Sequence, residues 1–148
     1  MADRKRVLIL CTGNSARSQM AEGILRHDGG GRFEVESAGV NPSRVRPEAV
    51  EAMREIGIDI SGHRSKSADE FVGQDFDYIV TVCDNARETC PVFPGHAERI
   101  HHSFEDPPPP GAADPDAMMA IFRRVRDEIR AWAGEFIREH SGAKEGAA

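Results

Sequence analysis

Cys11 and Arg17 stand with five residues between them in the stretch Cys11-Thr12-Gly13-Asn14-Ser15-Ala16-Arg17-Ser18. A cysteine thiolate is a strong nucleophile, and an arginine fork matches a tetrahedral oxyanion. The residues between them are small or polar, so their backbone N–H groups can turn inward and form an anion nest. Cys11 is read as the nucleophile. Residues Thr12, Gly13, Asn14, Ser15, Ala16, Arg17 and Ser18 are read as the oxyanion cradle. The helix-end dipoles and the Arg17 guanidinium are expected to lower the Cys11 pKa. Asn14 suits a position of positive φ within such a loop. Two further cysteines, Cys83 and Cys90, and the pair Asp106-Pro107 are the other residues with chemistry to offer. An aspartic acid can protonate an oxygen leaving group, and Glu105 competes for that role.

Val7-Leu8-Ile9-Leu10 is a short apolar run that reads as a buried parallel strand covering Arg6 to Leu10. A helix is expected from Ser15 to about His27, and Gly29-Gly30-Gly31 ends it. Phe33 to Ser37 alternates as a second strand. Pro47 opens a helix to about Ile56, and a short helix is expected over Ser67 to Val72. Asp77 to Val82 is the third strand. Asp84 to Cys90 reads as loop or short helix, stopped by Pro91. Ala97 to Phe104 is the fourth strand, and Asp106 to Gly111, with four consecutive prolines, is an extended loop. Met118, Ile121, Phe122, Val125, Ile129, Trp132, Phe136 and Ile137 repeat at a helical period from about Pro115 to Arg138. Alternating strands and helices give an α/β fold with a parallel sheet. Ligands in such sheets bind beyond the carboxyl ends of the strands. Cys11, Cys83 and Asp106 each follow a strand, so all three are expected at one sheet edge.

The chain has 148 residues and a net charge of −6. Residues 1–140 are read as a single domain, and 141–148 as a disordered tail. An acidic balance argues against nucleic acid, so anion binding must come from a local site. No stretch is long and apolar enough to span a membrane. Three cysteines do not suit a disulfide-stapled secreted protein, and the cytoplasm is the expected compartment. His101 and His102 are adjacent and point to opposite faces of a strand. His27, His63, His96 and His140 show no ligand spacing, so neither a metal nor another cofactor is expected.

The run from Cys11 through Arg17-Ser18-Gln19-Met20-Ala21-Glu22 to Gly23 resembles the phosphate loop of the low-molecular-weight protein tyrosine phosphatase superfamily. More closely, it is similar to that of the thioredoxin-coupled arsenate reductases within it. The likeness extends through Glu36-Ser37-Ala38-Gly39, Cys83 to Pro91 and Asp106-Pro107. The resemblance implies a four-stranded parallel sheet of order 2-1-3-4, with Asp106 as general acid. It also implies a disulfide relay from Cys11 to Cys83 to Cys90, with thioredoxin or a glutaredoxin-like protein as reductant and arsenate, or a phosphate-like oxyanion, as substrate. Ser18 is then either a hydrogen-bond partner of the thiolate or a helix cap. Gln19 stands where the phosphatases typically carry proline. Pro108-Pro109-Pro110 stands where they carry ring-clamping aromatics. Many members have a cysteine just before the loop arginine, and this chain has Ala16. Some members bind potassium beneath the loop through an asparagine, a glutamate, a serine and an aspartate. Asn14, Glu22 and Ser37 match the first three, and Lys66 stands in place of the aspartate, so these four are expected to brace the loop. A monomer is expected. The alternatives are a low-molecular-weight phosphotyrosine phosphatase, and an anion-binding or redox-sensing module without turnover.

Overall fold

A computed structural model describes residues 4–83 and 97–140. The expected tail, 141–148, and the segment that contains Cys90 lie outside the described residues. The strands are β1 (Lys5–Cys11), β2 (Phe33–Gly39), β3 (Tyr78–Thr81) and β4 (Glu98–His101). They form one parallel sheet in the order β2-β1-β3-β4. The helices are α1 (Arg17–Asp28), α2 (Pro47–Arg54) and α3 (Pro115–His140), with short 3-10 turns at Gly30–Arg32 and Ala68–Phe71.

β1 is central because Val7, Leu8, Ile9 and Leu10 are apolar on both faces, and all four are fully buried. Its neighbour β3 contributes Ile79 and Val80 to the same core. α1 is buried along Arg17 to Leu25 and lies between the sheet, α2 and α3. Gly23 permits that close packing: a Cβ there would stand 2.7 Å from Ile60 Cγ2 and 3.0 Å from Met53 Cε. α3 buries Met118, Phe122, Val125, Ile129, Ala133, Phe136 and Ile137, while Ile121 and Trp132 are partly buried. It is pinned to α1 by Arg130 on Asp28, and to the end of α2 by Arg123 and Arg126 on Glu55.

Several boundaries differ from the expectation. α1 starts at Arg17 rather than Ser15, because residues before it belong to the loop that wraps the helix end. α2 ends at Arg54, and Gly57, at φ 80°, follows it. The segment 68–71 is a 3-10 turn capped by the Ser67 side chain, which accepts from the Asp69 N–H. β4 is shorter than the expected Ala97 to Phe104, although the His102 and Phe104 N–H groups still donate to the Thr81 and Val82 carbonyls at 2.9 and 3.2 Å.

Candidate active site

Parallel strands place their carboxyl ends together, and Cys11 is the last residue of β1. Cys83 lies two residues beyond β3, and Asp106 follows β4. The predicted placement on one sheet edge is therefore the observed one.

The loop after Cys11 is shaped from outside. The carbonyls of Cys11, Thr12, Gly13 and Ser15 accept hydrogen bonds from the backbone N–H groups of Val40, Asn41, Ser43 and Arg46, at 2.8–3.1 Å. In a trans peptide the N–H points opposite its carbonyl. Anchoring these four carbonyls outward therefore turns the N–H groups of Thr12, Gly13, Asn14 and Ala16 inward. Ser65 Oγ also donates to the Gly13 carbonyl, at 2.9 Å. Asn14 has φ 49°, the left-handed conformation expected of it. Gly39 sits against the loop so tightly that a Cβ would come within 2.6 Å of the Thr12 carbonyl oxygen. α1 has no side-chain cap, so the orphan N–H groups of its first turn add to the same electropositive pocket.

Beneath the loop lies a buried polar network. Asn14 Nδ2 donates to Ser18 Oγ at 2.8 Å and to Ser37 Oγ at 3.0 Å. Ser37 Oγ donates to Glu22 Oε1, which lies 3.6 Å from Lys66 Nζ. The Lys66 N–H donates to Asn14 Oδ1 at 2.8 Å. The four residues expected to brace the loop are thus joined, with the Lys66 ammonium beside the Glu22 carboxylate. Ser18 is not a capping residue, because Ala16 holds the cap position.

Sequence reasoning missed other members of this network. Gln19 is fully buried and donates to Asn14 Oδ1 and to the Arg64 carbonyl, both at 2.9 Å, while its Oε1 pairs with His63 Nδ1. Burial lowers the pKa of His63, which favours the neutral ring. Arg26 pairs with Glu22 at 2.8 Å. Ser43 and Ser65 lie in loops with no periodic signal. A polar Gln19 beside Met20 and Ala21, in a helix buried all round, was the one clue available.

Above the loop, Arg17 donates to the Phe104 carbonyl at 3.1 Å and pairs with Asp106 Oδ1 at 3.2 Å. Glu105, the competing acid, pairs with Arg124 of α3 instead. Cys83 is buried, and its Sγ lies 3.2 Å from Thr12 Oγ1. Its side chain is also a hydrogen-bond partner of Cys11. This corrects the expected thiol acidity. The hydrogen bond with Cys83 and burial push the Cys11 thiol up, and Arg17 and the Thr12 N–H, which pull it down, do not prevail. Two adjoining thiols share one proton readily, but the second ionisation would set two negative charges side by side.

The comparisons agree with this geometry. Residues 6–145 match the model of the family described as low molecular weight phosphotyrosine protein phosphatase. The arsenate reductase of Halalkalibacterium halodurans is 46% identical over 127 residues, covering 86% of this chain and 91% of that protein. A solved structure of an arsenate reductase in the phosphate binding state superposes with a TM-score of 0.74 at 32% identity, covering 93% of this chain and 99% of that one. The low molecular weight protein tyrosine phosphatase from T. tengcongensis gives a TM-score of 0.76 at 29% identity, covering 92% and 99%. The phosphate loop, the parallel sheet behind it and the match along nearly the whole chain lead to one conclusion: this chain belongs to the low molecular weight phosphotyrosine protein phosphatase family.

Proposed function

We propose that the protein is an arsenate reductase that cycles through a thiol–arsenate adduct and a relay of three cysteines. The observation that carries this reading is Cys83, a second buried free thiol whose Sγ lies 3.2 Å from Thr12 Oγ1, on the residue next to Cys11. A phosphatase has no use for it. A reductase needs two electrons, and two thiols supply them.

The Cys11 thiol passes its proton to an arsenate oxygen as its sulfur attacks arsenic(V), and a hydroxyl of arsenate leaves as water with a proton from Asp106. Arg17 and the inward N–H groups hold the remaining oxygens. Cys83, as thiolate, then attacks Cys11 Sγ. The sulfur–arsenic electron pair passes to arsenic, arsenite departs, and a Cys11–Cys83 disulfide remains. Cys90 next attacks Cys83, which frees Cys11 and leaves Cys83–Cys90 for an external dithiol protein. Thioredoxin is the proposed reductant, on the family resemblance, with a glutaredoxin-like protein as the alternative. Cys90 lies outside the described residues, so its part rests on the sequence.

Once Cys11 is bonded to arsenic its sulfur carries no thiolate charge, so no like charge from Cys11 opposes the Cys83 thiolate when it attacks. Asn14, Glu22, Ser37 and Lys66 are proposed to brace the loop, with the Lys66 ammonium as a built-in cation. No helix among the described residues is long and apolar enough to cross a membrane. A cytoplasmic monomer is the proposed working form.

Turnover of arsenate with thioredoxin, thioredoxin reductase and NADPH, run beside an aryl phosphate assay, tests the reading. Cys11→Ser is expected to abolish both activities. Cys83→Ser is expected to stop arsenate turnover while sparing any ester hydrolysis. Arsenate cycling that survives Cys83→Ser would remove the relay, and ester hydrolysis without arsenate reduction would favour the phosphatase.

A further inference from the structure

The loop that carries Asp106 is short of the means to hold itself. Pro107, Pro108, Pro109 and Pro110 have no N–H, so this stretch offers carbonyl acceptors but almost no backbone donors. Asp106 itself is mostly exposed, its side chain 76% accessible. Its charged partner among the described residues, Arg17, is also the residue proposed to hold the oxyanion. Arg124 on Glu105 and the Phe104 N–H on the Val82 carbonyl fix the start of the loop, and the proline stretch beyond Asp106 needs a donor of its own.

Arg46 does so from the opposite side of the site. Its NH1 donates to the Pro108 carbonyl at 3.0 Å, two residues from Asp106. The guanidinium lies over the Phe122 ring at 5.0 Å and faces Met118 Sδ at 3.8 Å, both on α3. Nε pairs with Glu48 at 3.2 Å. The side chain is only 12% exposed, so its course is set by packing. The backbone N–H of the same residue donates to the Ser15 carbonyl at 2.9 Å, one of the four bonds that shape the phosphate loop. One residue therefore touches both halves of the site: its backbone holds the oxyanion loop, and its side chain holds the acid loop.

We infer that Arg46 is a positioning residue that sets the distance between the general acid and the bound oxyanion. The inference rests on the reading of Asp106 as the acid. It assigns Arg46 no contact with substrate. A rigid bridge between the loops keeps the Asp106 carboxyl within reach of the departing oxygen, and small misplacements of such groups are costly in rate.

The two roles of Arg46 separate on mutation, because substitution leaves the backbone N–H in place. Arg46→Met keeps most of the stem and removes the donors. The test measures arsenate KM and the single-turnover rate of arsenite release for wild type, Arg46→Met, Asp106→Asn and the double variant. Arg46→Met is expected to slow release roughly tenfold with KM within about twofold of wild type. Asp106→Asn is expected to slow it about a hundredfold or more. The double variant is expected to be no slower than Asp106→Asn alone, since without the acid its position has no effect. A wild-type rate in Arg46→Met overturns the inference, as does a loss confined to KM or the same factor lost again in the Asp106→Asn background. If Asp106→Asn itself keeps the wild-type rate, the reading of the acid fails instead. Arg46→Gln, shorter and polar, enters the same cycle with the same outcomes where the methionine variant does not fold.

Discussion

The pKa of Cys11, the proposed nucleophile, is raised by Cys83, the thiol proposed to resolve its arsenate adduct. The hydrogen bond with Cys83 is the largest influence raising Cys11, ahead of burial. Removing the Cys83 sulfur should therefore bring the Cys11 titration down, leaving Arg17 and the Thr12 N–H to act on a lone thiol. Cys83→Ala is expected to show a thiolate absorbance that rises at lower pH than in wild type. Stability follows with a definite sign. A group whose folded pKa is raised contributes fully below its ordinary value, here 9.0, and loses that contribution as pH climbs past it. Wild type should lose stability to urea between neutral pH and the alkaline side of the ordinary thiol value, and Cys83→Ala should lose less. Equal losses in the two proteins would show that Cys83 does not govern the first thiol.

The phosphate loop is held between two sets of partners, the 40–46 segment outside it and the Glu22 network beneath it. Lys66 Nζ lies 3.6 Å from Glu22 and 3.8 Å from Glu36, so a cation is already present in that network. Exchanging sodium for potassium at fixed ionic strength is expected to leave kcat/KM unchanged in wild type. Lys66→Ala, which empties the place beside Glu22, is expected to become potassium-dependent by several-fold. A wild-type enzyme that potassium activates several-fold would remove Lys66 from this role. Much of the site was legible in the sequence, for identifiable reasons. Cys11, Arg17 and Asp106 announce themselves by residue type and by following apolar runs. Asn14 does so by its tolerance of positive φ. The strands β1 and β3 are apolar throughout, and α3 has an unbroken period. Arg46, Ser43, Ser65 and His63 gave no signal because they act through hydrogen bonds made across long sequence separations. The acidity of Cys11 was misread for a related reason. Arg17 lies six residues away in the chain and was counted, whereas Cys83 lies 72 positions further on and reaches Cys11 only through the β1–β3 pairing.

At the scale of the whole molecule, the loop's partners come from everywhere: β2 and the segment after it, the stretch around Lys66, and α3 through Phe122 and Arg46. Local sequence supplies little of what keeps residues 12–16 in their conformation, so the nest forms only after most of the chain has docked. The proposed oxyanion site then faces several N–H groups toward one small volume. An oxyanion that fills that volume is bound by the native chain and not by the unfolded one, so it acts as a thermodynamic lock on the fold. Anion present at a hundred times its dissociation constant should add about 2.7 kcal/mol of stability. In calorimetry, phosphate or arsenate should raise Tm by about 5 °C or more over chloride at matched ionic strength. Arg17→Ala should lose most of that rise, and an equal rise in the variant would assign it to general salt effects. The substrate of this protein is, on this account, also the ligand that completes its architecture.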